Sequence, residues 1–339
     1  MRRPVSNPPN PWSTQHVEWL GEPPATTTRV WEERAHSILS SNDSPDVPFR
    51  WSANAYRGCA HACAYCYARP THEFLELGAG TDFESQLVVK TNAAECLALE
   101  LARLSWRGET VCLSGNTDPY QPLEASYGLT RRMLEVCLAR ANPVVVISKG
   151  ALVRRDVDLL RRLHERAGVQ VHVSIAFADA EVARAMDPGA PTPARRFETL
   201  AILSDAGVPT GVAVSPLIPG LNESDVPTIL ERAAAAGATR AFSTLLRLPG
   251  QVPVIFEERL RAAFPGRADH VLSALRDMRG GELHEARFGR RMSGGGARWE
   301  LAQQVFELHC RRNGLELGET ARPALPAEAR RPHQGELFA

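Results

Sequence analysis

Lysine is almost missing from this sequence. Of 39 basic residues all but two are arginine, and the two lysines are Lys90 and Lys149. Net charge is missing too, since 39 Asp and Glu balance the 39 Lys and Arg. That excludes a histone-like, charge-driven binder of nucleic acid, while leaving room for a local basic face. No apolar run approaches the ~20 residues of a membrane span. The Pro-rich opening MRRPVSNPPNPW lacks the apolar stretch of a secretion signal, so a soluble, cytoplasmic protein with no membrane partner is expected. A disulfide framework is not implied either. Seven cysteines is an odd number, and Cys96, Cys112, Cys137 and Cys310 sit in apolar patterns where cysteine acts as a small hydrophobe.

What is present is a regular alternation. Short β-branched runs at 50–55, 110–114, 144–148, 169–175, 209–215 and 239–245 predict strands, and amphipathic helices fall between them. Val153, Val157, Leu160 and Leu163 share one helical face; Val226, Ile229, Leu230 and Ala233 share another. Strict β-α alternation predicts a parallel α/β sheet, either open and doubly wound or curved into a partial barrel. Either way the working face lies at the C-terminal ends of the strands. This core is expected over residues 48–250. A surface arm with a short helix at 30–38 precedes it in residues 1–47. After about residue 250 the strand pattern stops. A helical extension follows over 251–318, then a tail over 319–339 with the composition of a disordered segment.

The stretch YRGCAHACAYCYARP follows the first expected strand and puts Cys59, Cys63 and Cys66 within eight positions. Thiolates this close suit zinc or an iron–sulfur cluster. A structural zinc site needs four ligands, for which His61 or His72 would have to serve. A cubane that only carries electrons needs a cysteine on each iron. With three, one iron is left open to bind something else, as a catalytic cluster requires.

The Cys-x3-Cys-x2-Cys spacing, with Tyr65 before the last cysteine, resembles the signature of the radical S-adenosylmethionine (SAM) enzymes. The stretches YRGCAHACAYCYARPTHE, NTDPYQP, RLPG and RFGRRM are similar to the bacterial branch related to spore photoproduct lyase. The resemblance covers roughly residues 48–250 and implies a partial (β/α)6 barrel. It implies a 4Fe–4S cluster on Cys59, Cys63 and Cys66 that reductively cleaves SAM to a 5′-deoxyadenosyl radical, which takes a hydrogen atom from substrate. It also implies an external reductant such as flavodoxin or ferredoxin.

The same resemblance suggests the cofactor-binding residues. Tyr65 would lie near the adenine and Tyr67 beside the cluster. Ser114, Asn116 and Asp118 stand where many members have a Gly-Gly-Glu-like motif against the methionine ammonium, and this chain departs from that motif. Lys149, at the end of the third strand, would meet the methionine carboxylate. Its rarity supports this, because a compact ammonium and a guanidinium fork are not interchangeable at a tight site. Ser174 closes the fourth strand near the ribose or methionine. Arg196, with Arg195, begins the next helix, where a cation opposes the helix dipole and asks for a nearby anion.

The substrate is not written in the core. Nucleic acid is the first expectation, from the lyase kinship and from Arg287, Arg290 and Arg291 around Phe288, a pattern suited to phosphate contact and base stacking. A protein or small-molecule substrate, or a zinc or cluster-binding module without catalysis, are the rival readings. At the C-terminus, Gln334, Leu337 and Phe338 resemble the short peptide by which bacterial repair proteins dock on the DNA sliding clamp.

Overall fold

A computed structural model describes residues 27–318. Its elements begin with β1 (Arg29–Glu33), β2 (Leu39–Ser41), β3 (Trp51–Ala53), β4 (Tyr56–Arg57), α1 (Thr81–Ser85), β5 (Gln86–Lys90) and α2 (Ala93–Leu101). Then come β6 (Val111–Leu113), α3 (Glu124–Tyr127), α4 (Leu129–Arg140), β7 (Val144–Ser148), α5 (Val157–Arg166), β8 (Val169–Ser174), α6 (Ala180–Met186) and α7 (Pro193–Asp205). The rest are β9 (Thr210–Leu217), α8 (Val226–Ala235), β10 (Arg240–Leu245), α9 (Val252–Ala263), α10 (Ala268–Met278), α11 (Gly296–Arg312) and β11 (Glu316–Leu317).

The main sheet has the order β11-β10-β9-β8-β7-β6-β3-β2. Strands β3 and β6 to β10 are the six expected ones. They pair in parallel, each with the next, because a helical crossover returns the chain to the same edge. β10 does not pair with β3, so the sheet curves into a partial (β/α)6 barrel and stays open. Helix starts follow local chemistry. Asp179 accepts from the Glu181 and Val182 amides to cap α6. The buried Glu124 carboxylate accepts from the Thr130 and Arg131 amides to cap α4.

Side chains alternate along each strand, and the register sorts them into two faces. Val111, Val144 and Val169 align across β6, β7 and β8, as do Leu113, Val146 and Val171. This outer face packs on Leu97, Leu134, Leu163, Leu200 and Ile229 of the surrounding helices to form the core. Full burial of such a side chain is worth about 1.5–3 kcal/mol. The other face, carrying Cys112, Val145, Gln170, His172 and Ala213, looks into the barrel. Continuing that alternation to the strand ends places Ser114, Lys149, Ser174 and Ser215 on the same inner face.

Three expectations need correction. The helix expected at 30–38 is replaced by strands β1 and β2, because Val30 and Trp31 favour a pleated surface and β5 supplies a parallel partner for β1. The first expected strand, 50–55, is shortened to β3 at 51–53. After β3 the chain leaves the barrel at Asn54, and β4 joins a second sheet of order β1-β5-β4. Strands also do not stop at residue 250, since β11 pairs in parallel with β10 at the open edge. Helices α9, α10 and α11 fall within the helical extension expected over 251–318. Gln334, Leu337 and Phe338 lie outside the described residues, as does the tail expected over 319–339. No helix among the described residues is long and apolar enough to cross a membrane.

Candidate active site

The cysteine loop begins directly after β4 and sits at the C-terminal end of the barrel. Gly58 opens it at φ +74°, and a Cβ there would stand 2.8 Å from the Phe83 carbonyl oxygen and 2.9 Å from His72. Glycine alone meets both demands. The backbone of the loop is tied down from several directions. The Cys59 amide donates to Phe83 O at 2.9 Å and the Ala64 amide to Met186 O at 2.8 Å. Gln121 donates to Gly58 O and accepts from the Ala60 amide, both at 3.1 Å. Gly189 approaches so closely that a Cβ would fall 2.0 Å from Ala60 O.

Two arginines hold the carbonyls that the turn leaves over. The fully buried Arg69 donates to Cys63 O, Ala79 O, Gly80 O and the Glu84 carboxylate. Arg259, from α9, donates to Ala62 O and to the same Glu84. Cys59 and Cys63 are buried and Cys66 is half-buried. The three thiols lie near enough to feel one another's charge, and burial pushes Cys63 and Cys66 up from the ordinary thiol range. Lys149 pulls both back, as does Arg69 for Cys66.

Lys149 lies with its Nζ 5.4 Å from the centre of the Tyr65 ring. Burial works against its ammonium, but Cys63 and Asp187 hold its pKa above the ordinary lysine range. Asp187 is the acid that sequence reasoning missed, because in the stretch MDPGAP it reads as a turn residue. Burial would raise its carboxyl, yet Lys149 and Arg196 keep it below the usual value. One Asp187 oxygen meets Arg196 at 3.1 Å. The other, Oδ1, is buried close to the Tyr65 hydroxyl, and Tyr65 and Cys63 both help to hold the Asp187 carboxyl low.

The expected residues divide accordingly. Tyr65, Lys149 and the cysteines come together, and Ser174 closes β8 on the same inner face, donating to Ser215 O at 3.4 Å. Ser114 and Asn116 stand at the rim with side chains that make no hydrogen bond among the described residues. Asp118 is fully engaged. It accepts from the Ser148 hydroxyl and the Lys149 amide at 2.6 Å each and from the Tyr120 amide at 2.8 Å. It also faces His61 Nδ1 at 3.3 Å. Burial would raise its carboxyl, but His61 and these donors hold it well below the usual range. Burial opposes charge on His61, but Asp118 and Cys59 push its pKa up to about 10. Arg196 is buried as well, donating to Pro191 O, Ser174 O and Asp187. Asp187 is thus the anion that its place at a helix start asks for. Tyr67 lies outside this pocket, 47% exposed under the Arg247 guanidinium.

Among the described residues no three His, Cys, Asp or Glu side chains gather as a single metal ion would need. His61 faces Asp118, and His72 Nε2 bonds Gln86 O at 2.7 Å. Neither completes a zinc site with the cysteines. A group that takes each sulfur at a different iron fits this loop better. Two buried thiols and a half-buried one stand beside an ammonium that offsets thiolate charge, with the Tyr65 hydroxyl and the Asp187 carboxylate close by.

A family model for the radical SAM superfamily matches residues 53–233. The chain belongs to the radical SAM superfamily. It is 43% identical over 221 residues to an uncharacterised protein of Mycobacterium tuberculosis, a match covering 65% of each chain. The match therefore spans just under two-thirds of that relative's length. The chain is also 26% identical over 182 residues to a radical SAM Nalpha-GlyT isomerase of Pseudomonas phage M6, covering 53% of this chain and 35% of the phage protein. In structure it is similar to spore photoproduct lyase complexed with dinucleoside spore photoproduct. The TM-score is 0.63 at 14% identity, covering 85% of this chain and 81% of the other. The likeness shows a shared fold, the one expected from the sequence.

Proposed function

We propose that the chain is a radical SAM enzyme that cleaves SAM reductively and takes a hydrogen atom from a substrate, with nucleic acid as the substrate class. One observation carries the reading of the cofactor site. Lys149, Tyr65 and the buried Asp187 carboxylate stand together beside the cysteine loop, and Ser174 lies on the same inner face. When bound on Cys59, Cys63 and Cys66, a 4Fe–4S cluster would supply the electron that breaks the SAM sulfonium and so yields the radical. The residues of the chain orient and enclose. Lys149 offers an ammonium to the methionine carboxylate, and Asp187 Oδ1 offers an acceptor to its ammonium. Tyr65 provides a ring for the adenine end, and Ser114 and Asn116 line the rim with uncommitted oxygens. Asp118 holds His61, Ser148 and the Lys149 backbone together, so that the cysteine loop and the lysine keep one geometry. Burial of this pocket keeps water from a reactive centre.

Nucleic acid is supported by the Nalpha-GlyT isomerase name of the phage relative and by the dinucleoside in the lyase complex, each a property of that protein. Phe288, 56% exposed with Arg291 stacked 4.4 Å from its ring centre, gives the mouth an aromatic–arginine surface of the kind that contacts bases. A small flavodoxin or ferredoxin is the proposed reductant.

The test is anaerobic reconstitution with iron and sulfide, followed by electron paramagnetic resonance and a 5′-deoxyadenosine assay with and without thymidine-rich DNA. The expected result is one cubane per chain, deoxyadenosine formed under reduction, and more of it when DNA is present. Loss of the cluster in Cys59→Ala, Cys63→Ala and Cys66→Ala, but not in Cys112→Ala or Cys310→Ala, completes the expected pattern. Deoxyadenosine that never appears under reduction would overturn the reading.

A further inference from the structure

The barrel mouth holds five arginines, and four of them are committed. Arg287 and Arg290 face Glu285. Arg291 donates to Asp46 and Ser44 at 2.6 Å each, drawing the 44–46 segment over the mouth. Arg279 donates to four carbonyls, those of Leu246, Arg290, Arg291 and Ser293, and so pins the loop that follows α10. Arg279 also leaves its Nε without a partner, but Arg247 differs in that its guanidinium meets no oxygen among the described residues. Arg247 follows β10 at the C-terminal end of the barrel and has no carboxylate partner among the described residues. Its Nη1 reaches only the Met292 sulfur, at 3.7 Å. Its Nε is buried with no hydrogen-bond partner. Its Cζ lies 5.3 Å from the centre of the Tyr67 ring, the residue next to Cys66. Near it, His284 keeps a buried Nδ1 that is also without a partner. Burial, Arg247 and Arg279 all hold that imidazole below its ordinary pKa.

A half-buried guanidinium without an anion is a costly arrangement, since burying an uncompensated charge is unfavourable. Burial first, then Arg291, lowers the Arg247 pKa from its ordinary range, and Tyr67 and Asp46, which is itself bound to Arg291, offset this only in part. The stacking on Tyr67 recovers part of this, because a cation over an aromatic face is favourable. It also fixes the fork in place while leaving Nε unused. The missing partner is an anion of the substrate. A planar guanidinium matches phosphate oxygens in a bidentate way.

We propose that Arg247, seated on Tyr67 and supported by His284, is the subsite for a substrate phosphodiester, placing the adjoining nucleoside against the cysteine loop. This deepens the nucleic-acid reading above and rests on it. It names the residue that discriminates a nucleotide from a bare base or nucleoside. It also explains how a chain of zero net charge can take up nucleic acid, since recognition is concentrated on one positioned charge.

Binding rather than turnover is the test, measured on the full chain reconstituted with iron and sulfide. Thymidine, thymidine 5′-monophosphate and a short single-stranded thymidine oligonucleotide are titrated against wild type, Arg247→Gln and Arg247→Lys, with thermal unfolding as the check on folding. In wild type the monophosphate and the oligonucleotide should bind more tightly than thymidine. Arg247→Gln should weaken both by roughly ten- to hundredfold, as for loss of one charge-assisted contact, and leave thymidine unchanged. Arg247→Lys should recover only part, and the salt dependence of oligonucleotide binding should fall by about one phosphate contact in Arg247→Gln. If Arg247→Gln fails to fold, competition by inorganic phosphate against the oligonucleotide in wild type and Arg247→Lys decides instead, the lysine variant being the weaker competitor site. Equal oligonucleotide affinity in wild type and both variants would overturn the inference, as would Arg247-dependent binding of an acidic peptide but not of the oligonucleotide. A chain that binds the oligonucleotide through Arg247 but forms no deoxyadenosine would count against the proposed chemistry and not against this subsite.

Discussion

Gly58 shows how one residue conditions the site. It combines φ +74° with a Cβ position 2.8 Å from a backbone oxygen that cannot move aside. Gly58→Ala is therefore expected to destabilise the fold by about 1–3 kcal/mol and to lower the iron bound after reconstitution. Urea unfolding of the apo-protein and an iron assay check it, and an unchanged midpoint with full iron would refute it. Lys149 acts at the same scale. Its ammonium sits against Tyr65 and Asp187, so Lys149→Ala should weaken SAM binding by roughly ten- to hundredfold while the cluster spectrum stays the same. Lys149→Arg should rescue poorly, because the wider fork has neither the reach nor the room. Equilibrium binding of SAM to the three reconstituted proteins is the measurement, and unchanged affinity in Lys149→Ala would refute the role.

At the scale of elements, the notable contact runs from the C-terminal extension to the cysteine loop. Helix α9 sends Arg259 to Ala62 O and to Glu84, which Arg69 also holds. Burial lowers the Arg259 pKa and Glu84 raises it again, so the pair is a buried, compensated charge. Arg259→Met should cost about 1–3 kcal/mol, less than a fully orphaned charge, because Glu84 retains Arg69. The cluster should also be lost to a chelator several-fold faster than from wild type, since the Ala62 and Cys63 turn would be held from one side only. Timed loss of visible absorbance in the presence of a chelator reads this directly. Identical rates would show that the extension does not brace the loop.

Across the whole molecule, the barrel interior carries an acid-sensitive group. His172 lies on the inner face of β8 and is fully buried, with neither ring nitrogen hydrogen-bonded. Burial, with Arg240 adding to it, lowers its pKa from 6.5 to about 3. The folded state therefore binds this proton less readily than the unfolded state. The stability it contributes is present above pH ~6.5 and is lost as pH falls from there towards about 3, by an amount on the order of a few kcal/mol. His172→Leu should flatten the acid limb of the stability curve in that window. Denaturant midpoints measured between pH 7 and 4 check the slope, and parallel curves for both proteins would exclude His172 as the cause.

Much of this was legible in the sequence because its signals are local. The six core strands were marked by β-branched runs between turn residues, and α5 and α8 by their apolar spacing. The cysteine spacing and the rarity of lysine singled out Cys59, Cys63, Cys66 and Lys149 before any contact was known. Period-two alternation then explains why Ser114, Lys149 and Ser174 share one face. Other features depended on pairing and packing. Strands β4 and β11 have only two residues each, and β1 pairs with β5, which overrides the weak helical pattern at 30–38. Asp187 looked like an ordinary turn, and only the fold brings it to Lys149, Arg196 and Cys63. Asp118 and Arg196 were recognised as important residues, but the packed structure commits them to His61, Ser148 and Asp187. The sequence by itself determined which elements form and which thiols cluster, since those follow from neighbours along the chain. The tertiary structure alone decided which charges are compensated, because burial and ion pairing depend on residues far apart in sequence, and that left the Arg247 guanidinium at the mouth without a salt bridge among the described residues.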